Sequence, residues 1–187
     1  MKHRVFGETI ALRLEKGDKI MECIKDICTR VTAVKAGTIS GLGACRTATL
    51  GVYNLPGKEY IPHDYEGNLE LASLTGNVSQ MNGEVYLHIH AVFGDEKGNV
   101  YAGHLNEAEI SATGEIFITV LDGVIDRKYS DEIGLNLMQF YRKAINKKET
   151  LKGLFFDMQF LRTASANLIC LFDIPLVSCS FPTISFY

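Results

Sequence analysis

LELASLTGNVSQMNGEVYLHIHAVFGDEKGNVYAGHL, residues 69–105, is the stretch that decides the fold. Apolar residues alternate with polar ones along much of it, which is typical of β-strands with one buried face. Asn82-Gly83 and residues 94–99 are turn signals between the strand-like segments. The stretch therefore predicts three successive antiparallel strands joined by tight turns.

Three of the five histidines of the chain lie in this stretch, at positions 88, 90 and 104. His88 and His90 are two residues apart in a predicted strand, so both side chains point to the same side of the sheet. If the following turn centres near Lys97, the antiparallel register pairs residues whose numbers sum to about 194, which places His104 opposite His90. The pattern therefore predicts three imidazoles on one face, about 5–8 Å apart.

A divalent cation is the predicted occupant of this face, because buried imidazole nitrogens need partners and protonated imidazoles repel one another. Neutral imidazole suits zinc in tetrahedral geometry, with the fourth position open to water, a carboxylate or another subunit. Three acids, Glu115, Asp64 and Glu70, are candidates for that carboxylate. The other two histidines, His3 and His63, are predicted to lie at the surface.

Two other interpretations of the histidines stay open at this stage. In the first, the three histidines are hydrogen-bonding residues that line a polar groove. Alternatively, Gly83, the His88 and His90 pair, an acid at 95 or 96 and Gly98 follow the order of the first motif of the cupin barrels. These acids fall in a charged turn rather than on a strand, which departs from the cupin pattern.

The rest of the chain extends the β-rich pattern and adds one helix. Residues 4–14, 33–54 and 107–123 are also strand-like. A helix over roughly 19–31, capped by Asp18, is predicted from an apolar face with helical spacing, formed by Ile20, Cys23, Ile24, Ile27 and Val31. Six or seven strands with one early helix predict an α+β sheet or flattened barrel.

Composition narrows the function classes. The 187 residues carry a formal net charge of −3, so there is no general attraction to nucleic acid, and Arg142-Lys143 with Lys147-Lys148 form the one modest basic cluster. The five cysteines include no CxxC pair, which predicts reduced thiols and a cytoplasmic protein. Charges at positions 8, 13, 15 and 16 argue against a secretory signal.

The character of the sequence changes near residue 142, where a polar run gives way to an apolar tail. Residues 164–187 contain Asp173 as their single charge, but Pro175 and Pro182 interrupt them, so a membrane span is not predicted. We therefore expect a domain over residues 1–141 and a C-terminal extension of irregular, unknown structure over residues 142–187.

The stretch 69–105 resembles the core of the PPC domain, the plants-and-prokaryotes-conserved family that also occurs in plant AT-hook nuclear proteins. That family has a strand near LELLSLTGN, a turn with glycine, the motif lHlHa and the motif GGHL, in this order. Ala102 stands in place of the first glycine of GGHL. The segments that fit are residues 69–77, 82–83, 87–91 and 103–105.

The resemblance covers about residues 4–140 and implies both a fold and a site. The implied fold is α+β, a curved and mainly antiparallel sheet with one helix packed on it, assembled as a homotrimer. The resemblance also implies that His88, His90 and His104 form a metal site, with zinc as the expected metal, close to a subunit boundary.

Two functions from different classes follow. The first is a non-enzymatic, homotrimeric metal-binding module that interacts with regulatory partners, in a family associated with DNA binding and transcription regulation. The plant proteins hold DNA through a separate Arg-Gly-Arg-Pro hook, and this sequence contains no such segment. The alternative is a metal-dependent enzyme that uses the three-histidine site, with Glu115 or Glu70 as general base.

Overall fold

Eight β-strands and one short helix form the part of the chain that the structure, a computed structural model, describes: residues 1–31 and 33–140. The helix α1 spans Ile20–Asp26 and continues as a π-helical turn over Ile27–Val31. The strands are β1 Lys2–Phe6, β2 Thr9–Glu15, β3 Gly37–Asn54, β4 Glu59–Met81, β5 Glu84–Asp95, β6 Val100–Val120, β7 Asp126–Ser130 and β8 Leu135–Gln139. The predicted α+β fold with a mainly antiparallel sheet is confirmed.

Four long strands form the centre of the sheet. β3 pairs with β4 and β6, and β5 also pairs with β4 and β6, so these four strands close into a cycle of antiparallel neighbours. Register shifts interrupt the ladders of β3 and β4, and such irregularities bend long strands. The hairpin of β1 and β2 extends the sheet beyond β6.

The last two strands form a hairpin that joins the sheet at the end of β4. The contact between β7 and β4 is parallel and pairs Asp126 with Gln80. The adjacent residue, Arg127, is thereby placed beside the end of β4. This hairpin is absent from the sequence-based prediction, and the predicted strand over residues 4–14 divides into β1 and β2 at a turn. The described residues therefore hold eight strands where six or seven were predicted.

The helix covers the apolar face of the sheet, with Ile20, Ile24 and Ile27 fully buried as predicted. The helical segment, Ile20–Asp26 with the π-helical turn over Ile27–Val31, agrees with the predicted range of roughly 19–31, but the predicted cap is wrong. Asp18 does not cap the helix, because its carboxylate accepts a hydrogen bond from the Glu15 N–H at 2.8 Å. The N–H of Met21 instead donates to Glu107 Oε1 at 2.9 Å, so a side chain from β6 satisfies the helix terminus.

Three cysteines lie in the described part of the chain, and all three are free thiols. Burial raises the pKa of Cys28 and of Cys45 to about 12, so both are unreactive as nucleophiles near neutral pH. No helix within the described residues is long and apolar enough to cross a membrane. The predicted compartment stays a prediction, and the predicted extension over residues 142–187 lies outside the described residues.

Candidate metal centre

The β5–β6 hairpin sets the positions of the histidines. His90 pairs with His104 and Ala91 with Gly103, so the predicted register is confirmed. His88 follows the same face of β5 two residues earlier. Ile89, which lies between the two histidines, is completely buried, so the histidines face away from the core at that point.

A close approach of β4 to β5 fixes the backbone at His88. Gly76 of β4 lies opposite Ile89. A Cβ atom at Gly76 would meet the His88 carbonyl oxygen and would lie 2.7 Å from Ile89 Cγ1 and 2.9 Å from Ile89 Cα. Only glycine therefore fits here without moving β5, and the tight contact anchors the strand that carries two of the histidines.

The three imidazole rings converge. Ring centroids are 5.2 Å apart for His88 and His90, 5.2 Å for His88 and His104, and 5.7 Å for His90 and His104. Each residue offers one nitrogen such that all three nitrogens lie within 4.8 Å of one another. His3 and His63 are exposed and lie outside this cluster, as predicted.

The environment keeps two of the imidazoles neutral. Burial lowers the pKa of His88, and Arg127 and His90 lower it further. Burial, together with His88 and His90, lowers the pKa of His104 to about 4. Both rings therefore present lone pairs at neutral pH, which is the state that binds a metal ion.

One buried atom in the cluster lacks a partner. Nδ1 of His104 is inaccessible to solvent and makes no hydrogen bond within the described residues. A buried nitrogen without a partner destabilises the folded protein by about 1–3 kcal/mol. A cation held by the cluster would give such a nitrogen a partner.

The donor set fits zinc. Nitrogen ligands of one tetrahedral zinc ion lie about 3.4 Å apart, so nitrogens that lie within 4.8 Å of one another are close to the separation that one ion requires. Imidazole nitrogen is a donor type that suits zinc and other late transition metals.

The three acids predicted as candidate ligands lie elsewhere. Glu70 pairs with Gly94, four residues along β5 from His90, or about 13 Å at the rise of a strand. Glu115 is eleven residues from His104 on β6, and Asp64 accepts a hydrogen bond from Thr49 Oγ1 at 2.7 Å. None of the three belongs to the histidine cluster.

The acids that a cupin site would use are also distant from the cluster. Asp95 ends β5, where it accepts hydrogen bonds from the Asn99 side chain and the Tyr101 hydroxyl, both at 2.8 Å. Glu96 follows it in the turn and accepts a hydrogen bond from Asn68. The cupin interpretation is therefore wrong about the acid.

Sequence reasoning missed three residues that surround the cluster. The ring of Tyr60 from β4 stacks on His104 with centroids 4.7 Å apart. Arg127 of β7 lies with its guanidinium carbon 4.6 Å from the centre of the Tyr86 ring. These residues and the histidines at 88 and 104 line a cavity of about 250 Å³. Tyr60 and Arg127 reach the site through long-range pairing of β4, and no local motif marks them.

Comparison with solved structures places this fold among known proteins. A candidate DNA-binding protein from Bacteroides thetaiotaomicron is 30% identical, with a TM-score of 0.73 over 75% of this chain and 98% of the other. A metal-containing protein from Archaeoglobus fulgidus is 34% identical, with a TM-score of 0.67 over 74% and 97%. A plant- and prokaryote-conserved (PPC) protein from Pyrococcus horikoshii is 31% identical, with a TM-score of 0.66 over 73% and 94%.

The comparison with family models agrees with these structural matches. No curated protein matches the chain. The family model for the Plants and Prokaryotes Conserved domain matches residues 1–122. The predicted domain boundary at residue 141 stays a prediction. The match and the structural relatives bear out the resemblance drawn from the histidine motifs: the chain belongs to the Plants and Prokaryotes Conserved domain family.

Proposed function

We propose that this chain is a non-enzymatic metal-binding module in which His88, His90 and His104 hold one zinc ion. The observation that carries the proposal is the convergence of three imidazole nitrogens within 4.8 Å, one ring of which has a buried nitrogen without a partner. The relative from Archaeoglobus fulgidus, 34% identical, is described as metal-containing, which supports the same conclusion.

The residues around the histidines define what the centre does. Bound zinc would supply a Lewis acid with a position open to a further ligand. The protein holds the His104 ring between neighbouring side chains, including the stacked Tyr60. The general bases considered for an enzyme, Glu70 and Glu115, lie away from the cluster, so the arrangement favours binding over catalysis.

Assembly as a homotrimer is part of the proposal. Large apolar side chains are exposed on the long strands: Leu42 is 53% exposed and Phe117 48%. They lie on one face of neighbouring strands, because Phe117 pairs with Ser40 and Leu42 is two residues further along β3. At the other end of β3, Val52 pairs with Ile61 and both are exposed. Contact between copies of the chain would remove such surface from water.

DNA binding is the second candidate, because the relative from Bacteroides thetaiotaomicron is described as a candidate DNA-binding protein. Residues 1–140 contain 13 Lys and Arg against 19 Asp and Glu, so only a local basic cluster could contact phosphates. A titration of labelled duplex DNA at 50 and 200 mM salt tests this function. A protein with several phosphate contacts loses about 10³–10⁵ in affinity over that range, and no binding at 50 mM would exclude it.

The metal proposal is tested on full-length protein purified without added metal and without a histidine tag. We expect about one zinc ion per chain by elemental analysis. Light scattering should give a mass three times that of the 20.7 kDa chain. Zinc removal by a chelator should lower the thermal midpoint, because a metal present at 100 times its Kd stabilises the folded state by about 2.7 kcal/mol.

A matched pair of variants separates the cluster from histidine content in general. His104→Asn should lose most of the zinc, whereas His63→Asn, which alters an exposed histidine outside the cluster, should retain it. Equal zinc contents in the two variants would contradict the proposed site. A mass of 20.7 kDa with full zinc content would contradict the trimer alone.

A further inference from the structure

Arg127 is held rigidly next to the histidine cluster. Its Nε donates to Ser79 Oγ at 2.7 Å, one terminal nitrogen donates to the Asn136 carbonyl oxygen at 2.7 Å, and the other donates to Asn77 Oδ1 at 2.8 Å. The guanidinium also lies over the ring of Tyr86. Contacts on all three nitrogens fix the plane of the group.

The charge of Arg127 has no counterion in the described part of the chain. All three hydrogen-bond acceptors are neutral, and within residues 1–31 and 33–140 no carboxylate forms an ion pair with it. The side chain is half-buried, and burial lowers its pKa. A partly buried cation without a partner destabilises the folded state unless a ligand supplies the opposite charge.

Arg127 also keeps unused hydrogen-bond donors. A guanidinium has five N–H groups, and three are engaged by acceptors in the part of the chain that the structure describes. The two that remain are on the terminal nitrogens. A pair of terminal N–H groups suits the two oxygens of one carboxylate.

The cavity beside Arg127 has the size and lining of a site for a small organic anion. Its volume is about 250 Å³, and among the described residues none that lines it is Asp or Glu. Tyr60, Tyr86 and two histidines of the cluster provide polar groups on its wall, and Leu135, Leu137 and Met138 provide apolar surface. The combination suits a molecule with one charged end and a short apolar part.

We propose that this cavity binds a small monocarboxylate, with Arg127 pairing with the carboxylate and the apolar side chains of β8 contacting the rest of the molecule. The proposal rests on the proposed metal centre, because His88 and His104 form part of the wall of this cavity. The ligand would therefore lie next to the proposed zinc site. A carboxylate is favoured over phosphate because, within residues 1–31 and 33–140, Arg127 is the one arginine or lysine in the lining and two of its N–H groups are not engaged.

The test uses full-length, zinc-loaded protein and three probes: propionate, its neutral isostere propionamide, and inorganic phosphate. Calorimetric titration should give saturable binding of propionate that is at least tenfold tighter than binding of either of the other two. Equal binding of propionate and propionamide would overturn the proposal without any variant being needed. Tighter binding of phosphate than of propionate would also overturn the assignment to carboxylates.

Variants then test whether Arg127 makes the charge contact with propionate. Arg127→Gln should weaken propionate binding at least tenfold while zinc content stays at the wild-type level. Lys128→Met, which removes the neighbouring exposed cation, should leave propionate binding unchanged. Arg127→Lys keeps the charge but loses the fork of donors, and it should bind propionate at least threefold more weakly than wild type. Wild-type affinity in a folded Arg127→Gln variant would refute the role of Arg127.

The same measurements keep this proposal separate from the metal proposal. Protein that has no zinc as purified but binds propionate through Arg127 would contradict the metal centre and support the carboxylate site. Protein with one zinc ion per chain that does not discriminate between propionate and propionamide would support the metal centre and overturn the carboxylate site.

Discussion

Replacing Gly76 by alanine tests whether the close approach of β4 to β5 determines the stability of the histidine strand. The added methyl group would collide with the His88 carbonyl oxygen and would lie 2.7 Å from Ile89 Cγ1. Unstrained contacts between carbon and carbonyl oxygen begin at about 3.3 Å. The strands must therefore separate locally, and the segment from His88 to His90 must move with them.

The expected loss follows from that displacement. Inserting a methyl group into a fully packed position typically costs about 1–3 kcal/mol, and Ile89 beside it is completely buried. In a chain of this size each kcal/mol lowers the thermal midpoint by about 2–4 °C. Urea unfolding at a fixed protein concentration measures the loss, because an oligomer's stability depends on concentration. We also expect lower zinc retention, since His88 shifts relative to His104.

Gly94→Ala is the matched control on the same pair of strands. A Cβ atom at Gly94 would have no heavy atom of the described residues within 4 Å, and the Gly94 backbone is not in the left-handed region. Its free energy of unfolding should stay within about 0.5 kcal/mol of wild type. If Gly76→Ala unfolds at the same urea concentration as Gly94→Ala, then the contact between β4 and β5 does not constrain the site, and the reasoning fails.

Substitutions at three further residues test the parts of the fold that support the site. Glu107→Ala removes the acceptor for the Met21 N–H and should lower the free energy of unfolding by about 1 kcal/mol in urea, whereas Glu107→Gln should lose less. Ile89→Ala should cost about 2–5 kcal/mol by the same assay, and a loss below that of Ile89→Val would contradict its place in the core. Hydrogen bonds from Asn99, Tyr101 and turn amides hold the pKa of Asp95 at about 2. The stability contributed by the ionised Asp95 carboxylate is therefore present above the ordinary carboxyl pKa and is lost as pH falls towards 2. Asp95→Asn should therefore be less stable than wild type at pH 7, with a difference that narrows between pH 5 and pH 3; a difference independent of pH would argue against the ionised carboxylate.

The histidine pairing was predictable because it depends on local information. A strand fixes which side chains share a face, and a short turn fixes which residues of two successive strands lie opposite each other. His88, His90 and His104 belong to one such hairpin, so a single turn position sets all three. The same rules predicted the strand that ends at the Asn82-Gly83 turn.

Arg127 and Tyr60 could not be predicted in the same way. Arg127 reaches the site because β7 adds to the end of β4 in a parallel contact between residues 46 positions apart. Tyr60 lies on β4, and β3 separates it from His104 in the sheet. Residues 135–138, which follow Gly134, have an alternating pattern that is a weak strand signal. Nothing in that pattern indicates which edge of the sheet the hairpin of β7 and β8 joins. The cap at the start of the helix has the same origin, since its acceptor, Glu107, is 86 residues from Met21.

Salt dependence distinguishes the two kinds of anion that this protein could bind. Residues 1–140 carry more acidic than basic side chains, so the general field of the domain repels polyanions. At physiological ionic strength, screening limits that field to about 8 Å from each exposed charge. A monocarboxylate in the cavity meets the half-buried Arg127 inside this distance, and the described lining residues carry no carboxylate. Propionate affinity should therefore change far less between 50 and 200 mM salt than DNA affinity would, because a single ion pair does not release the condensed counterions of a duplex. A steep salt slope for propionate would place its binding at exposed lysines and arginines rather than at Arg127.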